Sequence, residues 1–323
     1  MRLKMVPDVT TLDFFRHTRL TFGASAVAMV LSIVAFFMMG LNFGIDFRGG
    51  TSIRTEAQAP VDIGAYRAAI MPLGFGDVAI TEVFDPSFGP DRNVAMVRIQ
   101  AQEGVEAITP EQINLMREAL VAFDSTLVFA AVESVGPKVS GELIRSAIIS
   151  VVLALAAVLF YIWLRFEWQF SVGAVAALVH DVVLTIGIFS VLQIRFDLAI
   201  IAALLTIVGY SLNDTVVVFD RVRENLIKFK KRPLVEVLNL SINDTLSRTV
   251  MTSVTTLLAL LALFVLGGDV IRGFVFAMIW GVIVGTYSSV FVASAVLLRF
   301  GVKRDWSKNS GDTAGTQFGV KEG

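Results

Sequence analysis

The chain has 323 residues, of which 55% are hydrophobic and only 17% are charged, and its mean hydropathy is +0.73. A soluble domain is typically about 45–50% apolar and about 25% charged, so the composition excludes an ordinary soluble protein and favours a membrane protein. The net charge of −1 gives no indication of a nucleic-acid partner, and the absence of cysteine excludes a disulfide framework and a thiolate zinc site.

Six apolar runs are long enough to cross a bilayer, which takes about 20 apolar residues in a helix. They predict transmembrane helices at 20–41, 143–164, 170–192, 196–219, 249–266 and 273–298, the last five forming one bundle over 143–298. The first run is too long for the apolar core of a cleaved signal peptide, about 7–15 residues, and no small-x-small cleavage site follows it. We therefore interpret it as an uncleaved anchor.

The basic residues are segregated along the chain. Six spans place 17 of the 27 lysines and arginines on the side that holds both termini. The large loop 42–142 lies on the other side and carries 14 acidic and 7 basic residues. Because cytoplasmic segments carry the excess of lysine and arginine, the N-terminus (1–19) and the tail (299–323) are predicted to be cytoplasmic. The loop is then exported, and the tail is expected to be disordered.

The exported loop 42–142 has the pattern of one small α+β domain. Strands are predicted at 51–57, 77–84, 93–100 and 126–134, and helices at 62–71 and 109–123. The second helix begins with Thr109 as cap, proline at the first position and Gln112 closing a capping box. The order β-α-β-β-α-β is that of a ferredoxin-like domain. The predicted fold is therefore a polytopic α-helical membrane protein with this domain between its first two helices.

The motifs of common enzyme classes are missing. "GFGDVA" at 74–79 matches a dinucleotide fingerprint, but it follows a helix and opens a strand, the reverse of the required context. The sequence has no P-loop and no H-E-x-x-H motif, and His17 and His180 are its only histidines. We expect a protein that is not an enzyme and that needs no metal or organic cofactor.

The fourth apolar run contains a carboxylate. In "VGYSLNDTVVVFDRVREN", residues 208–225, Asn213 and Asp214 stand near the cytoplasmic end of the predicted span. A carboxylate within a span costs a few kcal/mol on insertion scales and is by default a functional candidate. Arg248 and Thr252 share a face at the mouth of the fifth span, although a loop of about thirty residues separates the two spans. Asp214 and Arg248 form either a static pair that fixes helix register or a proton relay in which Arg248 moves.

His180 and Asp181 stand in the middle of the third span. They are either a second functional site or a structural pair in which a backbone carbonyl and the aspartate satisfy the histidine. A strip of small residues with a spacing of four leads to Asp181, and a G-x-x-x-G motif in the sixth span allows close helix packing. Asp220 is interpreted as a solvated residue that balances Arg221 and Arg223, and Asp244 receives no role.

Four segments follow one another along the chain: "GLNFGIDFRGGTSI", "LVHDVVLTIGIF", "VGYSLNDTVVVFDRVREN" and "SINDTLSRTVMTSVTTLLALLALFVLGG". In this order they resemble the SecF family, the smaller subunits of bacterial SecD–SecF protein-export complexes. The resemblance implies a six-span inner-membrane subunit of the resistance–nodulation–division superfamily with a periplasmic domain. It also implies partners: SecD, the SecYEG translocon, YajC, unfolded exported polypeptide and membrane lipid.

The family's activity is implied in the same way. Its members use the proton-motive force, without ATP hydrolysis, to promote late steps of protein translocation. The family's relay aspartate falls on Asp214 and its assisting basic residue on Arg248, with His180 and Asp181 matching its His-Asp pair. Asn213 and Thr252 are candidate supporting residues. Two alternatives are half of a proton-coupled small-molecule exporter of the same superfamily, against which the single exported loop argues, and a purely structural membrane scaffold.

Overall fold

The computed structural model describes residues 10–76, 78–85, 92–101 and 108–302. Residues 1–9 of the predicted N-terminal segment and 303–323 of the predicted tail lie outside this range. The helices are α1 (Thr18–Met39), α2 (Ile45–Arg48), α3 (Ile63–Ile70), α4 (Pro110–Phe123), α5 (Pro137–Arg165), α6 (Trp168–Leu192), α7 (Leu198–Lys228), α8 (Leu234–Leu266), α9 (Gly268–Ser288) and α10 (Ser294–Phe300). The strands are β1 (Asn42–Phe43), β2 (Gly50–Ala57), β3 (Val78–Val83), β4 (Asn93–Gln100), β5 (Val128–Val135) and β6 (Arg195–Phe196).

Six helical segments in the described part of the chain are long and apolar enough to cross a membrane. They are α1, α5, α6, α7, α8 and the continuous unit from Gly268 to Phe300, in which a π-helical turn over Ser289–Ala293 joins α9 to α10. The fold class predicted from the sequence is confirmed. The helices include residues outside the lipid, so the predicted span limits stay predictions.

The connection between α7 and α8 differs from the prediction. The predicted loop of about thirty residues is wrong, because α7 continues to Lys228 and α8 already begins at Leu234. Both extensions bury apolar side chains in the core that continues from the membrane bundle: Val222, Leu226, Val237 and Leu238. Hydropathy identifies only the segments that are apolar enough to lie in lipid. These extensions are more polar, so hydropathy does not detect them although they are helical. The two helices are therefore joined by a short turn and pack as neighbours.

The segment between α1 and α5 forms the predicted β-α-β-β-α-β domain. Its sheet has the strand order β3-β4-β2-β5 with antiparallel neighbours, as in a ferredoxin-like fold. The core lies between one sheet face and α3 with α4, and the Thr109–Gln112 capping box is present. The segment of "GFGDVA" that is described leaves a helical turn at Gly74 and enters β3, whereas Asp77 lies outside the described residues. The other sheet face is turned towards the membrane bundle.

Two sets of contacts fix this domain to the outer ends of the membrane helices. Strands β1 and β6 pair in parallel, and the backbone N–H of Leu198 donates to Asp46 at 3.1 Å. On the other side of the domain, the backbone N–H of Asp269 donates to the carbonyl of Phe84 at 3.0 Å, and the N–H of Phe84 donates back to the Asp269 carboxylate at 2.5 Å. The domain is thus held above the bundle at both connecting turns.

Small residues set the distance between the central helices. A Cβ on Gly281 of α9 would overlap the side chain of Ile207 on α7, and one on Gly285 would lie 3.1 Å from Cβ of Ser211. A Cβ on Gly173 of α6 would lie 2.8 Å from the carbonyl oxygen of Ala293. The close packing predicted from the G-x-x-x-G motif and from the small-residue strip is therefore present in the structure.

Replacing Gly281 with valine is expected to destabilise the bundle by roughly 1–3 kcal/mol, as overpacking of a filled core does. The added methyl groups would force α9 away from α7. The measurement is the thermal unfolding midpoint of the detergent-solubilised protein. Gly23→Val is the matched control, because a Cβ at Gly23 on α1 meets nothing within 4 Å. Equal midpoints for the two variants would contradict the packing argument.

Candidate functional site

Asp214 lies where α7, α8 and the π-helical turn meet. Its side chain is buried, with 8% of the residue exposed. Oδ1 accepts a hydrogen bond from the hydroxyl of Thr249 at 2.6 Å, and Oδ2 accepts one from the hydroxyl of Ser289 at 2.5 Å. Each carboxylate oxygen therefore has one hydroxyl donor, from a different element of the bundle.

Arg248 does not pair with this carboxylate. Among the residues that the structure describes, no ion pair within 4 Å joins Arg248 to Asp214, and Arg248 is exposed. The static Asp214–Arg248 pair, one of the two alternatives from the sequence, is therefore not formed in this structure. The reason is helical geometry, since Thr249 is one residue further along α8 and thus about 100° around it. That rotation brings the threonine hydroxyl, rather than the guanidinium, to the carboxylate.

The other two candidate supporting residues lie apart from the carboxylate. Asn213 is exposed on α7, and Thr252 is exposed on α8. The Thr252 hydroxyl donates to carbonyls of its own helix, at 3.0 Å from Arg248 O and 3.0 Å from Thr249 O. Asn213, Arg248 and Thr252 are thus exposed polar residues that neighbour Asp214 and Thr249 along α7 and α8.

His180 and Asp181 form a second buried polar site, on α6. They are 1% and 0% exposed, and His180 Nδ1 lies 2.9 Å from Asp181 Oδ1. Asp181 Oδ2 accepts from the hydroxyls of Ser211 at 2.6 Å and Ser288 at 2.8 Å. The His180 ring stacks on Tyr287. The aspartate partner agrees with the structural alternative, but the expected backbone carbonyl does not appear, because His180 Nε2 has no partner among the described residues.

Two consecutive serines connect the two carboxylates. Ser288, the last residue of α9, donates to Asp181, and Ser289, the first residue of the π-helical turn, donates to Asp214. Isolated π-helical turns inside α-helices are frequent at functional sites. Sequence reasoning missed both serines and Thr249, although adjacent serines in an apolar span were a visible signal.

The charged residues at the helix ends opposite the α+β domain pair only partly as predicted. Asp220 is partly exposed and pairs with Arg223 at 3.2 Å, as predicted, but its other partner is Arg165, at 3.0 Å, rather than Arg221. Arg221 instead lies 3.1 Å from Asp244, which received no role from the sequence. These contacts join α5 to α7 and α7 to α8. The Arg221–Asp244 pair could not be predicted from the sequence, because a loop between α7 and α8 would not define which side chains are neighbours.

Two protein-family models match segments of this chain. The model of the SecD/SecF protein-export membrane proteins, C-terminal region, matches residues 116–303, and that of the SecD/SecF GG motif matches residues 34–61. This chain belongs to the SecD/SecF family. The glycines of the motif, Gly49 and Gly50, have φ values of 72° and 130°, and a Cβ on Gly50 would overlap the carbonyl oxygen of Ile99.

Individual SecD/SecF proteins are similar over nearly the whole chain. The protein translocase subunit SecF of Cereibacter sphaeroides is 60% identical over 98% of each chain, and that of Rhodobacter capsulatus is 57% identical over 100% of this chain and 98% of its own. A crystal structure of the translocon-associated membrane protein SecDF from Thermus thermophilus matches with a TM-score of 0.81 and 38% identity, covering 93% of this chain. A crystal structure of SecDF in a super-membrane-facing form matches with a TM-score of 0.69 and 38% identity. This chain spans 40% of either SecDF chain.

Proposed function

We propose that this chain is the SecF-type half of a SecD–SecF complex that uses the proton-motive force to promote late steps of protein translocation across the bacterial inner membrane. The observation that carries the proposal is Asp214, a carboxylate buried in the membrane bundle without an ion-pair partner among the described residues. Ionisable residues in such positions mark ion pathways and proton relays. Membership of the SecD/SecF family supports an exported polypeptide as the molecule that is translocated.

The surroundings of Asp214 suit both of its protonation states. A hydroxyl donates to an ionised carboxylate and accepts from a protonated one, so Thr249 and Ser289 remain partners when the proton arrives. A fixed arginine partner would favour only the ionised form. Arg248 directly precedes Thr249, the residue that contacts Asp214, so its charge lies close to the carboxylate without a direct contact. We propose that Arg248 moves nearer to and farther from Asp214 during the cycle and so assists proton uptake and release.

The exposed polar residues Asn213, Arg248 and Thr252 support a partner within the membrane. Polar groups exposed to lipid are costly, so these residues need a protein or a water-filled cavity against them. We propose that SecD covers them as the second, pseudo-symmetric half of the complex. SecYEG, YajC and the unfolded exported polypeptide are the further partners in this proposal. Both termini are then cytoplasmic, the small domain is periplasmic, and the chain catalyses no chemical reaction.

Membrane vesicles that contain the complex provide the test. Import of a secretory precursor into inverted vesicles is expected to rise when a proton gradient is imposed, and purification of the tagged chain is expected to recover SecD. The rise should disappear when this chain is depleted and return when it is restored. Gradient-driven transport of small hydrophobic dyes, with no effect on precursor import, would instead support the exporter alternative. Full activity of the chain without SecD would contradict the proposal.

A further inference from the structure

A cavity of about 680 Å³ separates the exported domain from the membrane bundle. Its roof is the sheet face that α3 and α4 leave open, with Ser52 and Arg54 on β2 and Met96 and Arg98 on β4. Its floor is built from the turns that join α6 to α7 and α8 to α9. The volume lies in the range of small-molecule sites, about 300–1,000 Å³.

Unsatisfied arginine atoms are concentrated in this cavity. In the described part of the chain, six buried side-chain nitrogen or oxygen atoms lack a hydrogen-bond partner, and three of them are the Nε atoms of Arg54, Arg98 and Arg195. All three arginines line the cavity. A buried polar group without a partner is costly, and a buried charge more so. The cavity therefore presents donors that the described protein groups do not satisfy.

Arg98 is the least compensated of the three. It stands near the middle of the sheet face, and its side chain makes no hydrogen bond or ion pair with the described residues, whereas Arg195 has a carboxylate oxygen of Asp197 at 3.7 Å. Burial, and then the positive charge of Arg195, lower the pKa of Arg98, with Asp197 acting in the opposite direction. Two guanidinium groups thus lie near each other in a partly enclosed space.

The acidic residues on the floor are occupied elsewhere. Asp46 accepts from the backbone N–H of Leu198, and Asp197 accepts from that of Ile200 at the start of α7. Asp269 accepts from a backbone N–H of the exported domain and pairs with Arg272. These carboxylates hold the turns and helix starts in place. They leave Arg98 without a bonded carboxylate among the described residues and Arg195 with that of Asp197 only at 3.7 Å, so both guanidinium groups can bind an oxyanion from outside the chain.

The depth of the cavity indicates which oxyanion is available. By the spans and the orientation predicted from the sequence, the floor lies at the outer ends of α6, α7, α8 and α9, where the headgroup layer of the outer leaflet would begin. Phe264, Phe274 and Phe276 add an apolar wall to the basic one. Guanidinium groups bind phosphate through paired N–H donors. We propose that this cavity binds the phosphodiester of a phospholipid headgroup between Arg98 and Arg195.

Two further carboxylates define the kind of headgroup. Glu82 and Glu133 line the same cavity, are exposed, and have no hydrogen-bond or ion-pair partner among the described residues. They suit an ammonium group next to the phosphate and disfavour additional negative charge. The expected ligand is therefore a zwitterionic lipid such as phosphatidylethanolamine, in preference to phosphatidylglycerol.

Lipid addition to the delipidated, detergent-solubilised complex of the full chain with its partner tests the site. Phosphatidylethanolamine is expected to raise the thermal unfolding midpoint in a saturable way and to remain bound in native mass spectra. Phosphatidylglycerol should act more weakly, and inorganic phosphate at millimolar concentration should have no effect. An equal effect of inorganic phosphate, or a response to an acidic peptide but not to lipid, would overturn the headgroup assignment.

Variants of the two arginines distinguish binding from a structural role. Arg98→Gln should leave the unfolding midpoint without lipid unchanged or higher, because an uncompensated charge is removed. It should raise the half-saturating lipid concentration about tenfold, the loss of one charge-assisted contact. Arg195→Gln, on the opposite wall, should weaken lipid binding similarly. Arg117→Gln is the control, since Arg117 lies on α4 on the far side of the sheet. A lower lipid-free midpoint for Arg98→Gln with an unchanged lipid response would overturn the proposal.

Discussion

Asp214→Asn is expected to assemble normally and to lose the part of protein export that depends on the proton-motive force. Asparagine has nearly the same size, and the hydroxyls of Thr249 and Ser289 can donate to its carbonyl oxygen or accept from its amide. It cannot take up and release a proton. Precursor import into inverted vesicles, measured with and without an imposed gradient, should show stimulation reduced to background. The yield of the complex should stay at the wild-type level.

Other carboxylate variants sharpen this test. Asp214→Glu retains titration and should keep part of the stimulation despite its longer side chain. Asp220→Asn is the matched control on the same helix, because Asp220 binds Arg165 and Arg223 away from the buried site. It should leave stimulation unchanged.

Arg248 separates the relay from the registry alternative. Since Arg248 is exposed, Asp214→Asn should not strand a buried charge, and adding Arg248→Gln should not improve assembly. An assembly defect in Asp214→Asn that Arg248→Gln repairs would favour the registry pair. Full gradient-dependent export by Asp214→Asn would end the relay proposal.

Asp181→Ala is expected to cost roughly 3–5 kcal/mol of stability, as the loss of one partner from a buried charged network does. The substitution leaves His180, Ser211 and Ser288 without their shared acceptor in a site that is almost fully buried. The thermal unfolding midpoint and the yield of the complex should both fall.

A milder substitution at Asp181 and a control at Asp244 test whether the lost hydrogen bonds cause the loss of stability. Asp181→Asn keeps one carbonyl acceptor, so it should lose less stability than the alanine variant. Asp244→Ala removes a partly exposed carboxylate that binds Arg221 and Asn225 near the turn between α7 and α8, and it should cost no more than about 1 kcal/mol. Wild-type stability of Asp181→Ala would show that the network does not hold α6, α7 and α9 together. Normal stability of Asp181→Asn with lost export would instead give this pair a role in proton movement.

The sequence by itself determined the elements whose causes are local. Six runs of apolar residues specify six membrane helices, because each run alone is long enough to be soluble in the bilayer. The capping box at Thr109 starts one helix of the small domain, and Pro72 and Gly74 end the other. These signals act within a few residues, so the β-α-β-β-α-β order could be predicted from the sequence. Asp214 was identifiable because a carboxylate is conspicuous among apolar neighbours.

Only the tertiary structure decided which groups contact that carboxylate. Its donors, Thr249 and Ser289, lie 35 and 75 residues away along the chain, and a rotation of one residue on α8 exchanges the threonine for Arg248. The close contact of Gly281 with Ile207 and the π-helical turn at Ser289 likewise fix how α9 and the turn meet α7, which brings the Ser289 hydroxyl to the carboxylate. Such relative helix rotations depend on all contacts of the bundle at once. A linear pattern therefore identified the buried carboxylate but not its partners.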